Sequence, residues 1–144
     1  SEVLNVAQIN THDLVGGAER SSYDLHRTFR GDSNLKSDLI VAGKYGADND
    51  VHKIEYKKAD WEYAKTWRDK WGLTEILYPT PIEGCFKWPY LRNSDVTHVH
   101  NMHGHYWNSL SLAIFGFQKP TVLTLHDEYT LTGRAYNYRK YYWR

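Results

Sequence analysis

The hydrophobic residues of this chain fall into short runs separated by polar or amphipathic stretches. Mostly apolar runs predict strands over residues 3–9, 37–43, 94–100 and 121–126. We expect the first to be a central strand and the last to be a buried parallel strand. Residues 52–57 alternate instead, with His52, Ile54 and Tyr56 on one face, which is typical of a half-exposed edge strand.

Two stretches between these strands show the spacing of an amphipathic helix. The first predicted helix follows Gly17 and is ended by Gly31. Its buried stripe consists of Ala18, Ser22, Leu25, His26 and Phe29. A later helix precedes Pro120, and its predicted buried face consists of Tyr106, Leu110, Ala113, Ile114 and Phe117.

Residues 59–71 predict a further helix, which Gly72 ends. Its large or apolar positions are Trp61, Ala64, Trp67 and Trp71. We interpret the tryptophans as core residues, with a sugar-stacking platform as the alternative. The next segment is predicted to be irregular because of its helix-breaking residues, which are Pro79, Pro81, Gly84 and Pro89.

The alternation of strands and helices predicts the fold class. Strands that are joined by helices pair in parallel through right-handed crossovers, with helices on both faces of the sheet. We therefore expect an α/β fold with a Rossmann-like, doubly wound parallel sheet. A chain of 144 residues fits one such domain. Because it begins at Ser1 and ends within an aromatic, basic run, we expect it to be part of a longer protein.

Composition excludes several classes of function. The 18 Lys and Arg residues nearly balance the 17 Asp and Glu residues, so no basic field exists to bind nucleic-acid phosphates. Cys85 is the only cysteine, which excludes an intramolecular disulfide and fits a reducing compartment. No apolar run approaches the roughly 18 residues that span a bilayer. We expect a soluble, cytoplasmic protein.

The strongest chemical candidate is the pair His126 and Asp127, which follows the last apolar run. In open α/β sheets, ligands bind beside the carboxyl ends of the strands, so a titratable pair there is a candidate site. A histidine at a strand end can also serve only to bond a neighbouring carbonyl. Asp127 is more typical of a helix cap or turn than of a base.

Gly16 and Gly17 lie in the first strand-to-helix turn, which is the usual ligand loop of this architecture. There they let an anionic group approach the backbone amides of a helix start, although they also suit a tight turn without a ligand. The loop lacks the glycine pattern of dinucleotide-binding proteins and the lysine of a P-loop, so neither an NAD nor an ATPase function is supported. Glu19 favours the positive helix end, and Arg20 is expected to be solvated.

A dense group of histidines raises the question of a metal, because imidazole is a common zinc ligand. Its members are His98, His100, His103 and His105. The His-x-His-x-Asp-His pattern of metallo-β-lactamases is absent, since Asn101 and Met102 precede His103. We expect one functional histidine among several packed or exposed ones, and no bound metal. A zinc-dependent hydrolase remains an alternative.

Three segments together resemble the family-four glycosyltransferases of the GT-B fold. They are residues 16–20 (GGAER) after the first predicted strand, residues 95–104 (DVTHVHNMHG) at the fourth, and residues 124–133 (TLHDEYTLTG) at the fifth. Their order and spacing match over essentially the whole chain, and the resemblance is to the amino-terminal half of such an enzyme. Many relatives carry a cysteine-bearing segment where this chain continues with Arg134.

The resemblance implies an activity. Enzymes of this family transfer a hexose from a nucleotide sugar to an acceptor, with retention of anomeric configuration and without a required metal or other cofactor. They do so in a cleft between two Rossmann-like halves, and the amino-terminal half binds mainly the acceptor. Residues 1–144 would thus be the acceptor-side domain, acting on a saccharide or lipid-linked acceptor.

The resemblance also implies roles for particular residues. His126 would be the catalytic residue, contacting the donor sugar and aligning the reacting centre. The residues near the donor diphosphate and sugar would be Gly16, Gly17 and Asp127. The acceptor side would consist of His100, Asn101 and His103.

The implied partners are a nucleotide-sugar donor, the acceptor, and a carboxyl-terminal half that carries the nucleotide-binding residues. We find no such residues in this chain, which alone should be incomplete for catalysis. Residues 134–144, which are basic and aromatic, would pack on that half or contact the cytoplasmic face of a membrane. A non-catalytic domain that binds a sugar or a protein is an alternative from a different class.

Overall fold

The computed structural model of the chain describes residues 2–55, 89–101 and 109–127, together with positions 62, 63, 65, 66 and 70. Its strands are β1 (Leu4–His12), β2 (Leu35–Gly43), β3 (Val51–Lys53), β4 (Val96–Val99) and β5 (Thr121–Leu123). The helices bounded within these ranges are α1 (Gly17–Arg30), α2 (Pro89–Arg92) and α3 (Ser109–Gln118).

The strands form one five-stranded parallel sheet in the order β3-β2-β1-β4-β5. The chain moves outward from β1 through β2 to β3 and then returns to the other side of β1 for β4 and β5. With helices packed on both faces, this arrangement confirms the predicted Rossmann-like α/β fold. The reversal between β1 and β4 creates a topological switch point, where such sheets open a crevice at the carboxyl ends of their strands.

One face of the sheet is apolar. Ile9 of β1, Ile40 of β2 and Val99 of β4 share this face, because side chains alternate along each strand. They form a buried cluster with Leu91 of α2 and Phe115 of α3. This cluster is the main hydrophobic core.

The opposite face is covered by α1 and is only partly apolar. Leu39 and Val41 of β2 pack with Tyr23 of the helix. Beside them, Gln8 and Asn10 of β1 have no exposed surface. This face therefore contains a layer of buried polar side chains, which must find hydrogen-bond partners inside the protein.

The helix α1 forms as predicted, and Gly31 follows its last residue. The Gly31 N–H donates to the carbonyls of Arg27 and Thr28, which closes the final turn. The predicted stripe is buried or half-buried, and both Ser22 and His26 within it are fully buried. The face of α1 that meets the sheet is thus as polar as the part of β1 that it covers.

The predicted buried face of α3 is wrong. Phe117 is 92% exposed and Ile114 is 43% exposed, whereas Phe115 is buried and Leu112 packs against the same core. Apolar residues occur on every side of this helix, so their spacing does not select a face. The sheet selects it, by contacting the side that holds Leu112 and Phe115.

Several predicted strand ends need correction. β1 continues beyond its predicted end at residue 9, because His12 still pairs with Gly43 of β2. β5 pairs in parallel with β4 as predicted, but it ends at Leu123 and is half-exposed rather than buried. It is the outermost strand on its side of the described sheet, which leaves Val122 50% exposed. β3 is the edge strand on the other side, as predicted, but it is Val51–Lys53 and does not continue through residues 54 and 55.

Pro89 begins the short helix α2 instead of lying in an irregular segment. Proline suits this first helical position because its missing N–H group has no partner there in any case. Positions 62, 63, 65, 66 and 70 are helical, in agreement with the predicted helix over residues 59–71.

Other residues named in the sequence predictions lie outside the described residues, namely Tyr56, Trp61, Ala64, Trp67, Trp71, Pro79, Pro81, Gly84, Cys85 and Tyr106. The side chain of Leu110 lies outside them as well. Within the described ranges, no helix is long and apolar enough to cross a membrane.

Lys119 fastens the end of α2. Its ammonium group donates to the carbonyl oxygens of Leu91 and Ser94, the latter at 2.8 Å, and to Ser94 Oγ at 3.1 Å. Helix ends leave carbonyl groups unpaired, and a lysine can satisfy several of them at once. Burial lowers the pKa of Lys119, while the nearby Asp95 carboxylate opposes that shift.

Replacing Lys119 with methionine should lower the free energy of unfolding by about 1–3 kcal/mol, because these carbonyls would lose a charged donor. Lys36→Met is the matched control, since Lys36 is an exposed lysine of the same sheet. It should change stability by less than about 0.5 kcal/mol. Urea unfolding measures both effects, and equal stabilities would show that Lys119 does not hold α2.

Candidate functional site

The carboxyl ends of β1, β4 and β5 lie beside one another at the switch point, where sheets of this kind open a crevice. Backbone pairing continues just past the last two strands. The His100 N–H donates to the Ile9 carbonyl, and the Thr124 N–H donates to the Val99 carbonyl, both at 2.9 Å. These bonds fix His100 and Thr124 relative to the neighbouring strands and hold the residues that follow them at the edge of the sheet.

The first turn of α1 meets the end of β4. Gly16, just before the helix, has φ 94° and ψ 170°, a combination that only glycine adopts freely. A Cβ atom at this position would lie 2.4 Å from Oε2 of Glu19. The Glu19 carboxylate is buried, and its Oε1 accepts a hydrogen bond from Asn101 Nδ2 at 3.3 Å. Gly16 thus leaves room for the side chain that joins α1 to Asn101.

Asp13 anchors the loop between β1 and α1. Its carboxylate is fully buried and accepts hydrogen bonds from the backbone N–H groups of Tyr45 and Gly46, both at 2.8 Å. Such charge-assisted bonds compensate a buried carboxylate for the water that it has lost. They tie the loop after β1 to the loop after β2, and so fix the wall of the crevice that carries Gly16.

Three histidines lie side by side at the ends of β4 and β5. The ring centroids of His98 and His100 are 4.1 Å apart, and those of His100 and His126 are 5.2 Å apart, with 24° between the two ring planes. His100 Nδ1 lies 2.9 Å from His126 Nε2, which is hydrogen-bond distance. His98 Nε2 instead lies 2.7 Å from Thr124 Oγ1. Among the described residues, the predicted catalytic histidine, His126, is therefore held by another histidine and not by a backbone carbonyl.

Gln8 extends this contact beneath α1. Its Oε1 lies 2.9 Å from His100 Nε2, and its Nε2 donates to Ser37 Oγ at 3.1 Å. Ser37 Oγ in turn lies 2.8 Å from Nδ1 of His26 in α1. A continuous row of hydrogen bonds therefore runs from His126 at the edge of the sheet to His26 under the helix.

Burial keeps His26 and His100 neutral. Desolvation lowers the pKa of His26 to about 4, and the Arg30 charge acts in the same direction. Desolvation likewise lowers the pKa of His100 to about 3, with smaller effects from His98 and His126. The pKa of His98 is lowered mainly by the same burial. A neutral imidazole has one donor and one acceptor nitrogen, so each of these rings has a defined role in its hydrogen bonds.

The two described members of the histidine cluster, His98 and His100, belong to no metal-binding group among the described residues. The described part of the chain contains no group of three or more His, Cys, Asp or Glu side chains that could hold one. Both ring nitrogens of His100 make hydrogen bonds, as does one nitrogen each of His98 and His126. His103 and His105, which also belong to the zinc hypothesis, lie outside the described residues.

The structure brings most of the predicted site residues together. His100 contacts His126, and Asn101 is joined to the start of α1 through Glu19, which lies beside Gly16. Gly17 and Asp127 are the chain neighbours of Gly16 and His126. Glu19, expected only to favour the helix start, also links α1 to Asn101. Arg20 is exposed as expected, with its Nε 3.8 Å from an Asp24 oxygen. The remaining predicted residue, His103, lies outside the described residues.

Sequence reasoning missed the buried polar side chains that support the site. They are Gln8, Asn10, Asp13 and Ser37. Asn10 Nδ2, for example, donates to Ser22 Oγ at 2.6 Å and so joins β1 to α1. The available signal was a glutamine inside an otherwise mostly apolar run, because a buried amide requires partners on both its oxygen and its nitrogen.

The chain matches no protein-family model and no curated protein. The fold and the site therefore define a class: an α/β protein with a Rossmann-like sheet and a polar candidate site at its switch point. Three kinds of group lie at this site. They are the His126 imidazole, which the neutral His100 holds, the Asn101 side chain, and the backbone amides that begin α1. Such groups suit a ligand that carries both hydroxyl groups and an anionic group.

Gly16→Ala should lower the free energy of unfolding by about 1–3 kcal/mol, because alanine is strained in this backbone conformation and its methyl group collides with Glu19. The matched control is Gly17→Ala, since no heavy atom lies within 4 Å of a Cβ added at this neighbouring helical position. Alanine there should be neutral or stabilising. Chemical unfolding compares the variants, and equal effects would contradict a special role for Gly16.

Stability should also fall as the pH is lowered from about 7 to about 4. The pKa of His26, lowered to about 4, lies below the value of about 6.5 for an unperturbed histidine. In this window the unfolded chain binds more protons than the folded chain, so acid favours unfolding.

The variant His26→Gln removes this titrating group. Between about pH 7.5 and about pH 5 the variant should lose roughly 2 kcal/mol less stability than the wild type. Urea unfolding at the two pH values gives this double difference, in which the contributions of the other histidines cancel. Equal losses in the two proteins would show that His26 is not held neutral.

Proposed function

We propose that this chain is the acceptor-side domain of a retaining glycosyltransferase, which transfers a hexose from a nucleotide sugar to a saccharide or lipid-linked acceptor. The observation that carries the proposal is the hydrogen bond between His100 and His126. It connects the ends of two neighbouring strands at the edge where open α/β sheets bind ligands. Both histidines belong to segments that resemble family-four motifs.

In this proposal, His126 contacts the transferred sugar and aligns the reacting centre. Its ring is oriented before any ligand binds, because His100 Nδ1 holds its Nε2 at 2.9 Å with the two ring planes only 24° apart. A polar group that is oriented in advance needs no reorganisation during the reaction, and positioning of this kind can contribute several kcal/mol to lowering a barrier.

Gly16 and Gly17 would lie near the donor diphosphate, at the start of α1. The Glu19 carboxylate in the first turn partly offsets the positive end of this helix. Positive charge that balances a diphosphate must then come from elsewhere. This requirement agrees with a second, carboxyl-terminal half that supplies basic residues.

Asn101 and His100 would face the acceptor, together with His103, and Asp127 would lie close to the donor sugar. Asn101 is buried and joined to Glu19, so its amide has a fixed position. A lipid-linked acceptor would place the enzyme at the cytoplasmic face of a membrane, where the basic, aromatic residues 134–144 would make peripheral contact.

Calorimetry of the 144-residue chain against a panel of nucleotide sugars tests the placement of the donor site. The same panel is applied to the full product of the gene, with transfer of labelled hexose as the readout. We expect donor binding and transfer only with the full product. Tight donor binding by the 144-residue chain would contradict the proposal, and saccharide binding without transfer would favour a non-catalytic sugar-binding domain.

In the full product of the gene, His126→Ala should lower turnover at least tenfold, which corresponds to about 1.4 kcal/mol in the barrier. The fold should lose little stability, because His126 is only half-buried. His52→Ala is the control, since His52 lies on the edge strand β3 at the other side of the sheet. Near-normal turnover of His126→Ala would reject the catalytic assignment.

A further inference from the structure

One row of hydrogen bonds crosses the sheet beneath α1, and we call it the histidine relay. Its members, in order, are His126, His100, Gln8, Ser37 and His26. The distances between successive bonded atoms are 2.9, 2.9, 3.1 and 2.8 Å. Every member except His126 is buried, so these bonds replace contacts with water.

The Gln8 amide sets the direction of the relay. An amide oxygen can only accept, so His100 Nε2 must carry the proton that it shares with Gln8 Oε1. The amide nitrogen of Gln8 can only donate, and it does so to Ser37 Oγ. One planar group thus requires a donor on its His100 side and an acceptor on its Ser37 side.

The neutral rings pass this direction on. With its proton on Nε2, a neutral His100 has a bare Nδ1, which accepts from His126 Nε2. At the other end, the Ser37 hydroxyl donates its own proton to Nδ1 of His26. Every bond therefore points from His126 toward His26. Two other arrangements also make these contacts. In one, the Gln8 amide is turned over and every bond is reversed; in the other, Ser37 Oγ accepts from both neighbours and its own proton has no acceptor. In the direction inferred here, His26 Nε2 carries a proton that has no partner among the described residues.

We infer that the histidine relay fixes the tautomer of His126 and that Gln8 is the residue that sets it. His126 then carries its proton on Nε2 and keeps a bare Nδ1, which makes no hydrogen bond to any side chain or backbone group in the described ranges. Gln8 and Ser37 act through His100, so they are positioning residues.

The role that we assign to the bare Nδ1 of His126 rests on the proposed function. At the switch point, His126 Nδ1 would accept a hydrogen bond from a hydroxyl group of the bound sugar. An Nδ1 that carried the proton could not do so. The relay thereby selects a hydroxyl donor as the group that this side of the site recognises.

Long-range proton–nitrogen NMR correlation of the ¹⁵N-labelled protein, near neutral pH, distinguishes the two tautomers of each histidine. We expect the Nε2–H tautomer for His126, His100 and His26. A different tautomer at any of these rings, or a rapid exchange between tautomers, would overturn the inference. Because no substrate is added, this result does not depend on the transferase proposal.

The variant Gln8→Glu tests whether the relay is continuous. The new carboxylate accepts from both neighbours, so the Ser37 hydroxyl must turn to donate to it. Ser37 can then only accept from His26, which should switch to the Nδ1–H tautomer. His100 should keep its proton on Nε2. An unchanged His26 tautomer would show that the relay does not transmit the orientation of Gln8.

Asn10→Asp is the matched control. Asn10 is also a fully buried amide of β1 on the same face, but it bonds to Ser22 outside the relay. This substitution introduces a carboxylate of the same charge two positions along the strand and should leave every histidine tautomer unchanged. A switch of His26 in this control would assign the effect to charge alone and overturn the inference.

Ser37→Ala provides a second test if Gln8→Glu does not fold. Removal of the hydroxyl group disconnects His26, which should then exchange between its tautomers, while His100 and His126 keep the Nε2–H form. If His126 lost its fixed tautomer in this variant, Gln8 would not be the residue that sets that tautomer. If the tautomers are fixed but the full product of the gene transfers no sugar, the proposed function is rejected and the histidine relay stands. If sugar is transferred but the tautomers exchange, the relay is rejected and the proposed function stands.

Discussion

The structure depends on one constraint: the polar side chains buried between α1 and the sheet must bond to one another. Gln8, Ser37 and His26 lie where an α/β protein ordinarily buries aliphatic side chains, and each unpaired polar group there costs about 1–3 kcal/mol. Their partners must therefore stand at fixed distances and angles. This requirement sets the position and rotation of α1 more sharply than the undirected apolar contacts of the opposite face, such as those around Phe115.

The same constraint extends to the candidate site. His100 is where the polar layer ends and the crevice begins, because one of its nitrogens bonds to Gln8 and the other to His126. Asp13 and Glu19 act similarly on the loop before α1, the first by binding backbone amides and the second by binding Asn101. The groups at the crevice are thus supported from the interior of the sheet, and their order does not depend on the loops alone.

The fold could be predicted because strands and helices alternate so regularly that a parallel sheet follows from the pattern. The buried face of α3 could not, since Phe115 and Phe117 are equally apolar and only contact with the sheet distinguishes them. His100 and His126 could be placed at the same edge of the sheet, but the sequence does not show that their side chains adopt rotamers that bring the two rings into contact. Gln8 was missed because its partners lie 29 and 92 residues further along the chain, where no local pattern can reveal them.

The neutral partner of His126 matters for the proposed reaction. In a Ser-His-Asp triad, a buried carboxylate stabilises the cationic form of its histidine. Here the partner is an uncharged imidazole, and the next side chain is the uncharged Gln8, so no such stabilisation is available. Glycosyl transfer develops positive charge on the sugar ring in an oxocarbenium-like transition state. A cationic histidine beside that ring would oppose the charge, whereas a neutral one does not. A glutamine at position 8 is therefore better suited to this chemistry than a glutamate of the same length.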